Sequence, residues 1–273
     1  MKKPKIVVHC LVKNEENFIW YAINSVLPFV DKIMVWDNGS TDKTVEIINT
    51  INSPKIELEK HPVITREEIG HLRQEMLEKT PTNYDWLLVL DGDEIWSKKS
   101  LIKIKKYISQ NSKIESIACW TRNLVGDIYH SLPLTSGNYQ IAGRKGNLNL
   151  RFINLKKIPG LHASNPYGQE GYFDKENLPI QLRRGIKFIN TTYFHATHLI
   201  RSSKNSNIFD RLQKYKPTFG KKINKKYIPK IFFSKKPTIV PEVTNKFNYF
   251  QQIPILYRAI IIYIKNKLKL NEY

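Results

Sequence analysis

Apolar positions in this chain switch repeatedly between two rhythms, one with the period of a strand and one with the period of a helix. Ile6-Val7-Val8 opens a β-rich run ending near Val12, and Phe18, Ile19, Ala22, Ile23, Val26 and Leu27 then recur at helical spacing. Pro28 ends that helix, and Lys32 to Trp36 predicts a second strand. Asp37-Asn38-Gly39-Ser40 supplies turn residues, after which Ser40 or Thr41 is suited to cap a helix through Ile51 that buries Val45, Ile48 and Ile51. Ile56-Glu57-Leu58 predicts a third strand, and a charged helix carrying Arg66, Arg73 and Glu75 is expected from Thr65 to Lys79, closed by Pro81. Trp86 to Leu90 is apolar at every position, the pattern of a strand buried on both faces of a parallel sheet. Strands and helices alternating at this spacing predict an α/β fold with right-handed crossovers.

After a helix over Lys99 to Ser109 the pattern loosens. Strand-like runs at Ile117 to Thr121, Leu148 to Ile153 and Ile186 to Thr192 are joined by long segments rich in Gly, Asn and Pro, a length that substrate-binding loops use. Helices are expected from Asn207 to Tyr215 and from Pro254 to Leu270, with a basic, Pro-punctuated stretch between. The 273 residues suit one large α/β domain, 1–200, followed by an extension, 201–273. Within the domain, 1–110 reads as nucleotide-binding and 111–200 as the half that meets an acceptor.

Charge sharpens the division. The formal net charge is +20, and the extension alone holds 17 Lys and Arg against Asp210, Glu242 and Glu272. An anionic partner should be attracted to it. In the final helix Leu256, Ile260, Tyr263, Ile264 and Leu268 form one side, with Arg258, Lys265 and Lys269 near multiples of 3.6. That basic amphipathic pattern suits either an anionic membrane surface or packing on the domain. Tyr and Phe among the Lys residues also admit a nucleic-acid binder, but no helix-turn-helix, zinc-finger or RNA-binding signature accompanies them, which ranks nucleic acid lower. Cys10 and Cys119 both lie in apolar strand-like runs, reading as small buried hydrophobes in a reducing compartment. No signal-peptide core precedes the first strand, and Ile253 to Ile264 is too short to span a bilayer, so a cytoplasmic chain, at most peripheral to a membrane, is expected.

The sharpest chemical signal is Leu90-Asp91-Gly92-Asp93-Glu94, two carboxylates one Gly apart directly after a buried strand. Ligands in open α/β sheets sit at the carboxyl ends of strands, where such a pair can hold Mg²⁺ or Mn²⁺ against a nucleotide diphosphate. Asp-Gly between apolar runs is equally a hairpin signal, with Glu94-Ile95-Trp96 as the return strand. Asp37 to Asp42 also ends a strand and starts a helix, bringing backbone N–H groups and carboxylates to the same sheet edge. Two strand ends at one site favour the chemical reading.

In order and spacing over roughly residues 5 to 97, these motifs resemble the family 2 glycosyltransferases of the GT-A fold. Leu11-Val12-Lys13-Asn14-Glu15-Glu16 looks like that family's first-strand motif, Asp37 to Asp42 like its second, and Trp86 to Glu94 like the strand ending in its metal-binding acids. The resemblance implies a mixed, mainly parallel central sheet flanked by helices, and transfer of a sugar from a nucleoside diphosphate donor to a hydroxyl acceptor, on a glycan or a lipid-linked carrier, with inversion. It places Leu11, Lys13 and Glu15 at the nucleotide pocket, Asp37 or Asn38 on the base, and Arg73 near base or phosphate. Asp91, Gly92 and Asp93 then take the ribose and the divalent metal. The family often has two Asp where this chain has Asp37-Asn38. A catalytically silent relative of the same fold is the alternative.

An inverting transfer needs a base for the acceptor hydroxyl. Glu170, flanked by Gly168 and Gly171, is the candidate, with Asp174 and Asp127 as rivals. His195 and His198 stand three apart after a probable strand; one of them, with His195 preferred, could complete the metal site, and Arg201 and Lys204 could clamp a diphosphate.

Overall fold

A computed structural model describes residues 3–204 and 220–246. Strands β1 (Ile6–Val12), β2 (Lys32–Asn38), β3 (Ile56–His61) and β4 (Trp86–Val89) alternate with helices α1 (Ile19–Val26), α2 (Thr44–Asn49) and α3 (Ile69–Glu78). The order continues with β5 (Glu94–Trp96), α4 (Lys98–Gln110), β6 (Ser116–Val125), β7 (Asp127–Ser131), a hairpin of β8 (Tyr139–Ile141) and β9 (Arg144–Gly146), and β10 (Leu148–Asn154). A second hairpin, β11 (His162–Ser164) and β12 (Gly171–Phe173), precedes the long β13 (Ile186–His198) and the short β14 (Lys221–Lys222).

The main sheet runs β14-β7-β6-β10-β4-β1-β2-β3, with β13 parallel to β6 and antiparallel to β5. β4, β1, β2 and β3 are mutually parallel, so their carboxyl ends share one edge. The continuous apolar runs follow from burial on both faces. Val8, Cys10, Ile33, Val35 and Leu88 pack with α1, α2 and α4, whereas Val7, Met34, Trp36, Leu87 and Val89 pack with Leu72 and Met76 of α3. Both cysteines are buried and free.

Several expectations need correction. Helix α2 begins at Thr44, with Lys43 as its N-cap residue, and neither Ser40 nor Thr41 caps it, because their groups tie two loops together instead. Helix α3 begins at Ile69 rather than Thr65. The Asp-Gly hairpin does not form, since β5 pairs with β13 and not with β4. Residues 220–246, assigned to the extension, pack on the domain: β14 joins β7, Phe232 and Val240 enter the main core, and the Tyr21 hydroxyl donates to the Pro241 carbonyl at 2.9 Å. The helices expected at Asn207–Tyr215 and Pro254–Leu270 lie outside the described residues. Among the described residues no helix is long and apolar enough to cross a membrane.

Candidate active site

Two loops close the carboxyl ends of β1 and β2. Asn14 adopts φ 55°, a left-handed conformation that Asn tolerates, and its backbone N–H donates to Ser40 Oγ at 2.8 Å while its Oδ1 accepts from the Thr41 N–H at 2.8 Å. Ser40 N–H donates to Asp37 Oδ2, Lys43 N–H to Glu16 Oε2 and Thr44 N–H to Asp42 Oδ1. The N–H groups of Ser40, Thr41, Lys43 and Thr44 are therefore spent inside the loops. What the lacing achieves is a fixed position for Glu15, whose own N–H donates to Thr44 Oγ1 at 2.8 Å.

Beyond β4, Asp91 to Asp93 turn across the same edge. A Cβ on Gly92 would stand 2.8 Å from Glu15 Cγ and 3.1 Å from Val12 Cγ1, so glycine lets this turn lie against the first loop. Each acid meets cations. Asp91 Oδ2 accepts from Arg151 Nη2 at 2.8 Å, and Arg73 Nη2 lies 3.8 Å from its Oδ1. Asp93 lies 3.3 Å from both His195 Nε2 and Arg201 Nη1, and the same Arg201 nitrogen reaches Glu15 Oε1 at 2.6 Å. Antiparallel pairing of β13 with β5 sets His195 opposite Glu94, and the Ala196 N–H donates to the Asp93 carbonyl at 2.9 Å.

Burial and these partners compete. Burial raises the Asp91 carboxyl, but Arg151 and Arg73 outweigh it and hold it below the usual range; His195 and Arg201 do the same for Asp93. Glu94, with no exposed surface, is pushed up to about 7 by burial despite its ion pair with Arg151. Burial also raises Glu15, only partly opposed by Arg201. Burial lowers and Asp93 raises the His195 imidazole, and the carboxylate wins.

An open cleft of about 980 Å³ runs over this edge. Leu11, Lys13, Glu15, Asn38, Arg73, Asp91, Gly92, Asp93, Glu170 and His195 all line it, as does Arg201. Asp37 does not. It is buried, with Oδ2 accepting the Ser40 N–H at 3.0 Å. Asp127 and Asp174 are likewise engaged elsewhere, the first with the Tyr129 N–H and His130, the second with the Glu176 and Leu178 N–H groups and Arg183. Glu170 accepts from the Gly168 N–H within its own loop. His198 is not among the cleft residues.

The site contains one residue, Arg151, that local sequence reading misses. Arg151 sits where the pairing of β10 with β6 shifts register between Leu150 and Phe152, and this bulge turns it towards Asp91 and Glu94. Its Nε donates to the Tyr193 hydroxyl at 3.2 Å, which accepts from Thr121 Oγ1 at 2.8 Å. The available signal was a lone Arg within an apolar strand, since a buried charge demands partners.

The donor set suits a hard divalent cation. Asp93 Oδ1 is buried with no well-aligned donor on it, and Asp91, Glu94 and His195 each present a ligand atom within 4.8 Å of the others.

The glycosyl transferase family 2 model matches residues 8–165. The chain belongs to that family. Its mixed sheet, parallel at the centre and flanked by helices, is the GT-A arrangement. An uncharacterised glycosyltransferase of Rickettsia typhi is 31% identical over 121 residues, 44% of this chain and 39% of its own length. One from Rickettsia bellii is 34% identical over 108 residues, covering 39% and 34%. The glycosyltransferase SunS of Bacillus subtilis is 29% identical over 116 residues, covering 42% and 26%. The matches thus span well under half the length of these relatives. Among solved structures, S. aureus TarS superposes with a TM-score of 0.49 at 15% identity over 77% of this chain and 39% of that one. Glucosyl-3-phosphoglycerate synthase of Mycobacterium tuberculosis, solved with Mn²⁺ and UDP-glucose, gives 0.33 at 23% identity over 44% of each chain.

Proposed function

We infer that this family 2 glycosyltransferase moves one sugar from a nucleoside diphosphate donor to a hydroxyl acceptor with inversion, assisted by Mn²⁺ or Mg²⁺, in the synthesis of a glycan, polysaccharide or lipopolysaccharide. The observation that carries this reading is the pair Asp91 and Asp93 in the cleft at the carboxyl edge of the parallel strands, both held ionised by facing cations. Asp91 and Asp93, with His195, would hold the cation; Asp91, Glu94 and His195 present ligand atoms close to one another, and Asp93 Oδ1 lies 3.3 Å from His195 Nε2. When bound, it supplies Lewis-acid neutralisation of the departing diphosphate.

The protein's own groups do the rest. Lys13 and Asn38 line the cleft and Asp37 does not, which supports Asn38 over Asp37 as the member of that pair that reads the base. Arg73 and Arg201 orient the diphosphate through paired N–H donors. Glu170 receives the proton of the acceptor hydroxyl; its position in the cleft supports it over Asp127 and Asp174, whose carboxylates are committed to local partners. The catalytic domain is assigned to 1–200, and the segment Pro254–Leu270, read from sequence as a basic amphipathic helix for contact with an anionic membrane, lies outside the described residues.

The test is thermal melting with UDP, GDP, CMP and dTDP, each with and without Mn²⁺. One nucleotide should raise the melting temperature only with metal, and Asp93→Asn should abolish that rise while still melting cooperatively. Equal shifts with and without Mn²⁺, or shifts that survive Asp93→Asn, would overturn the metal assignment. Binding without any sugar transfer or donor hydrolysis would indicate the silent relative.

A further inference from the structure

The chain leaving β13 has no regular structure of its own, yet it delivers Arg201 to the centre of the site. After His198 the backbone runs irregularly through Leu199 to Lys204. Arg201 Nη1 nevertheless stands 2.6 Å from Glu15 Oε1 and 3.3 Å from Asp93 Oδ2, and its buried Nε has no hydrogen-bond partner among the described residues. Holding a long Arg side chain in one geometry costs rotamer entropy, and that cost falls when the backbone carrying it is already fixed.

The fixing comes from the loop after β1. Asn17 grips the segment twice, its backbone N–H donating to the Arg201 carbonyl at 3.0 Å and its Nδ2 to the Ile200 carbonyl at 2.9 Å. Glu16 grips it once more, Oε1 accepting the Ser203 N–H at 2.6 Å. The second oxygen of Glu16 accepts the Lys43 N–H at 3.1 Å, so one buried carboxylate ties the segment to the entrance of α2. The backbone is thus held at Arg201 itself and on both sides of it. Neither Glu16 nor Asn17 is among the residues lining the cleft. Their side chains serve the chain that carries Arg201.

We propose that Glu16 and Asn17 are positioning residues, which act through Arg201 by clasping the chain around it and so hold its guanidinium between Glu15 and Asp93. The inference rests on the reading of Arg201 as a ligand of the donor diphosphate. Hydrogen bonds to backbone groups are directional, and here they fix the main chain of Arg201, leaving only side-chain torsions to be ordered when a diphosphate arrives. Without the clasp Arg201 would keep its charge and lose its place. A diphosphate would still be attracted, but to a guanidinium no longer preorganised to meet it.

Two-dimensional NMR of the arginine Nε–H groups in the full chain tests this, with the Arg201 signal assigned by its loss in Arg201→Lys. Glu16→Ala and Asn17→Ala should each shift or broaden that signal without nucleotide or metal present. Calorimetry gives the second readout, using whichever of UDP, GDP and dTDP binds, with its own monophosphate as control, each with Mn²⁺. Both variants should weaken the diphosphate at least about fivefold and the monophosphate less than about twofold, a split that general loosening of the fold would not produce. Neither should weaken the diphosphate further in an Arg201→Met background. Asn17→Ala leaves the bond between Glu16 and Lys43 in place, so it decides the matter if Glu16→Ala fails to fold. An Arg201 signal unchanged in both variants, equal losses for monophosphate and diphosphate, or losses additive with Arg201→Met overturns the proposal. A displaced Arg201 signal, in a chain whose diphosphate affinity is indifferent to Arg201→Met, would instead refute the diphosphate reading and leave the clasp standing.

Discussion

Replacing Arg151 with Met tests whether the carboxylates at the end of β4 depend on a counter-ion from β10. The guanidinium bonds Asp91 at 2.8 Å, pairs with Glu94 and donates to Tyr193 at 3.2 Å, and Glu94 has no exposed surface. Methionine matches the stem but leaves Glu94 buried without its charge partner. Breaking one member of a buried ion pair costs about 3–5 kcal/mol while the remaining carboxylate stays charged, so the loss is largest in alkaline buffer and shrinks where Glu94, already pushed up to about 7 by burial, takes up a proton. Against a total stability of about 5–15 kcal/mol this is a large share, and it should lower the melting temperature by roughly 10 °C. Glu94→Gln in the same chain removes the stranded charge, so the double variant should recover about 2 kcal/mol relative to Arg151→Met. Urea unfolding of the four proteins, with slopes compared to confirm a shared two-state transition, measures the coupling. A loss below about 1 kcal/mol for Arg151→Met, or a double variant equal to the sum of the singles, would refute the claim that this pair is the electrostatic support of the site.

Two further predictions concern the same sheet edge. His9 is fully buried with Nε2 2.6 Å from Thr80 Oγ1, and burial first, then Arg73, lowers it from 6.5 to about 3, so the folded state binds no proton where the unfolded state does. Its stabilisation is therefore complete above 6.5 and is lost as pH falls towards 3; between pH 7 and 5 the loss is about 2 kcal/mol, and His9→Gln should remove that increment from the pH slope of urea stability. An unchanged slope would show that His9 is protonated in the fold. Gly92→Ala forces Cβ to within 2.8 Å of Glu15 Cγ, and because Glu15 is fixed by Arg201 the clash should cost about 1–3 kcal/mol and weaken nucleotide binding. A variant as stable as the parent, with unaltered nucleotide affinity, would show that the two loops move independently.

Periodicity alone located the strands that build the site. Trp86 to Leu90 was readable because both faces of β4 are buried, one by α1 and α4 and the other by α3, which removes any polar alternation. The ends of helices were harder. Ser40 and Thr41 have the chemistry of caps, yet their groups bond Asn14, a partner 26 or 27 positions away in sequence. Local propensity cannot register a competitor that only the parallel pairing of β1 and β2 brings near.

The same reasoning explains which half of the site was visible. Asp91, Asp93 and Glu15 lie on strand-edge loops, where a short motif and its strand determine position, so their shared edge followed from the order of elements. Arg151 and Arg201 come from 60 and 108 residues beyond the acids they bond, and neither stands in a motif. Arg151 depends on a bulge whose existence is decided by pairing with β6, and a shift of one residue would turn its side chain to the other face. His195 depends on β13 passing β5 in one register, with His195 opposite Glu94. The acids were legible because they stand at the ends of strands; Arg73, His195 and Arg201 were legible as cations or imidazole near them but not as their ion-pair partners, and Arg151 was not legible at all, because any cation that the tertiary fold delivers to the right place can serve. Sequence motifs therefore reported where negative charge is concentrated, and only the assembled sheet showed how that charge is held.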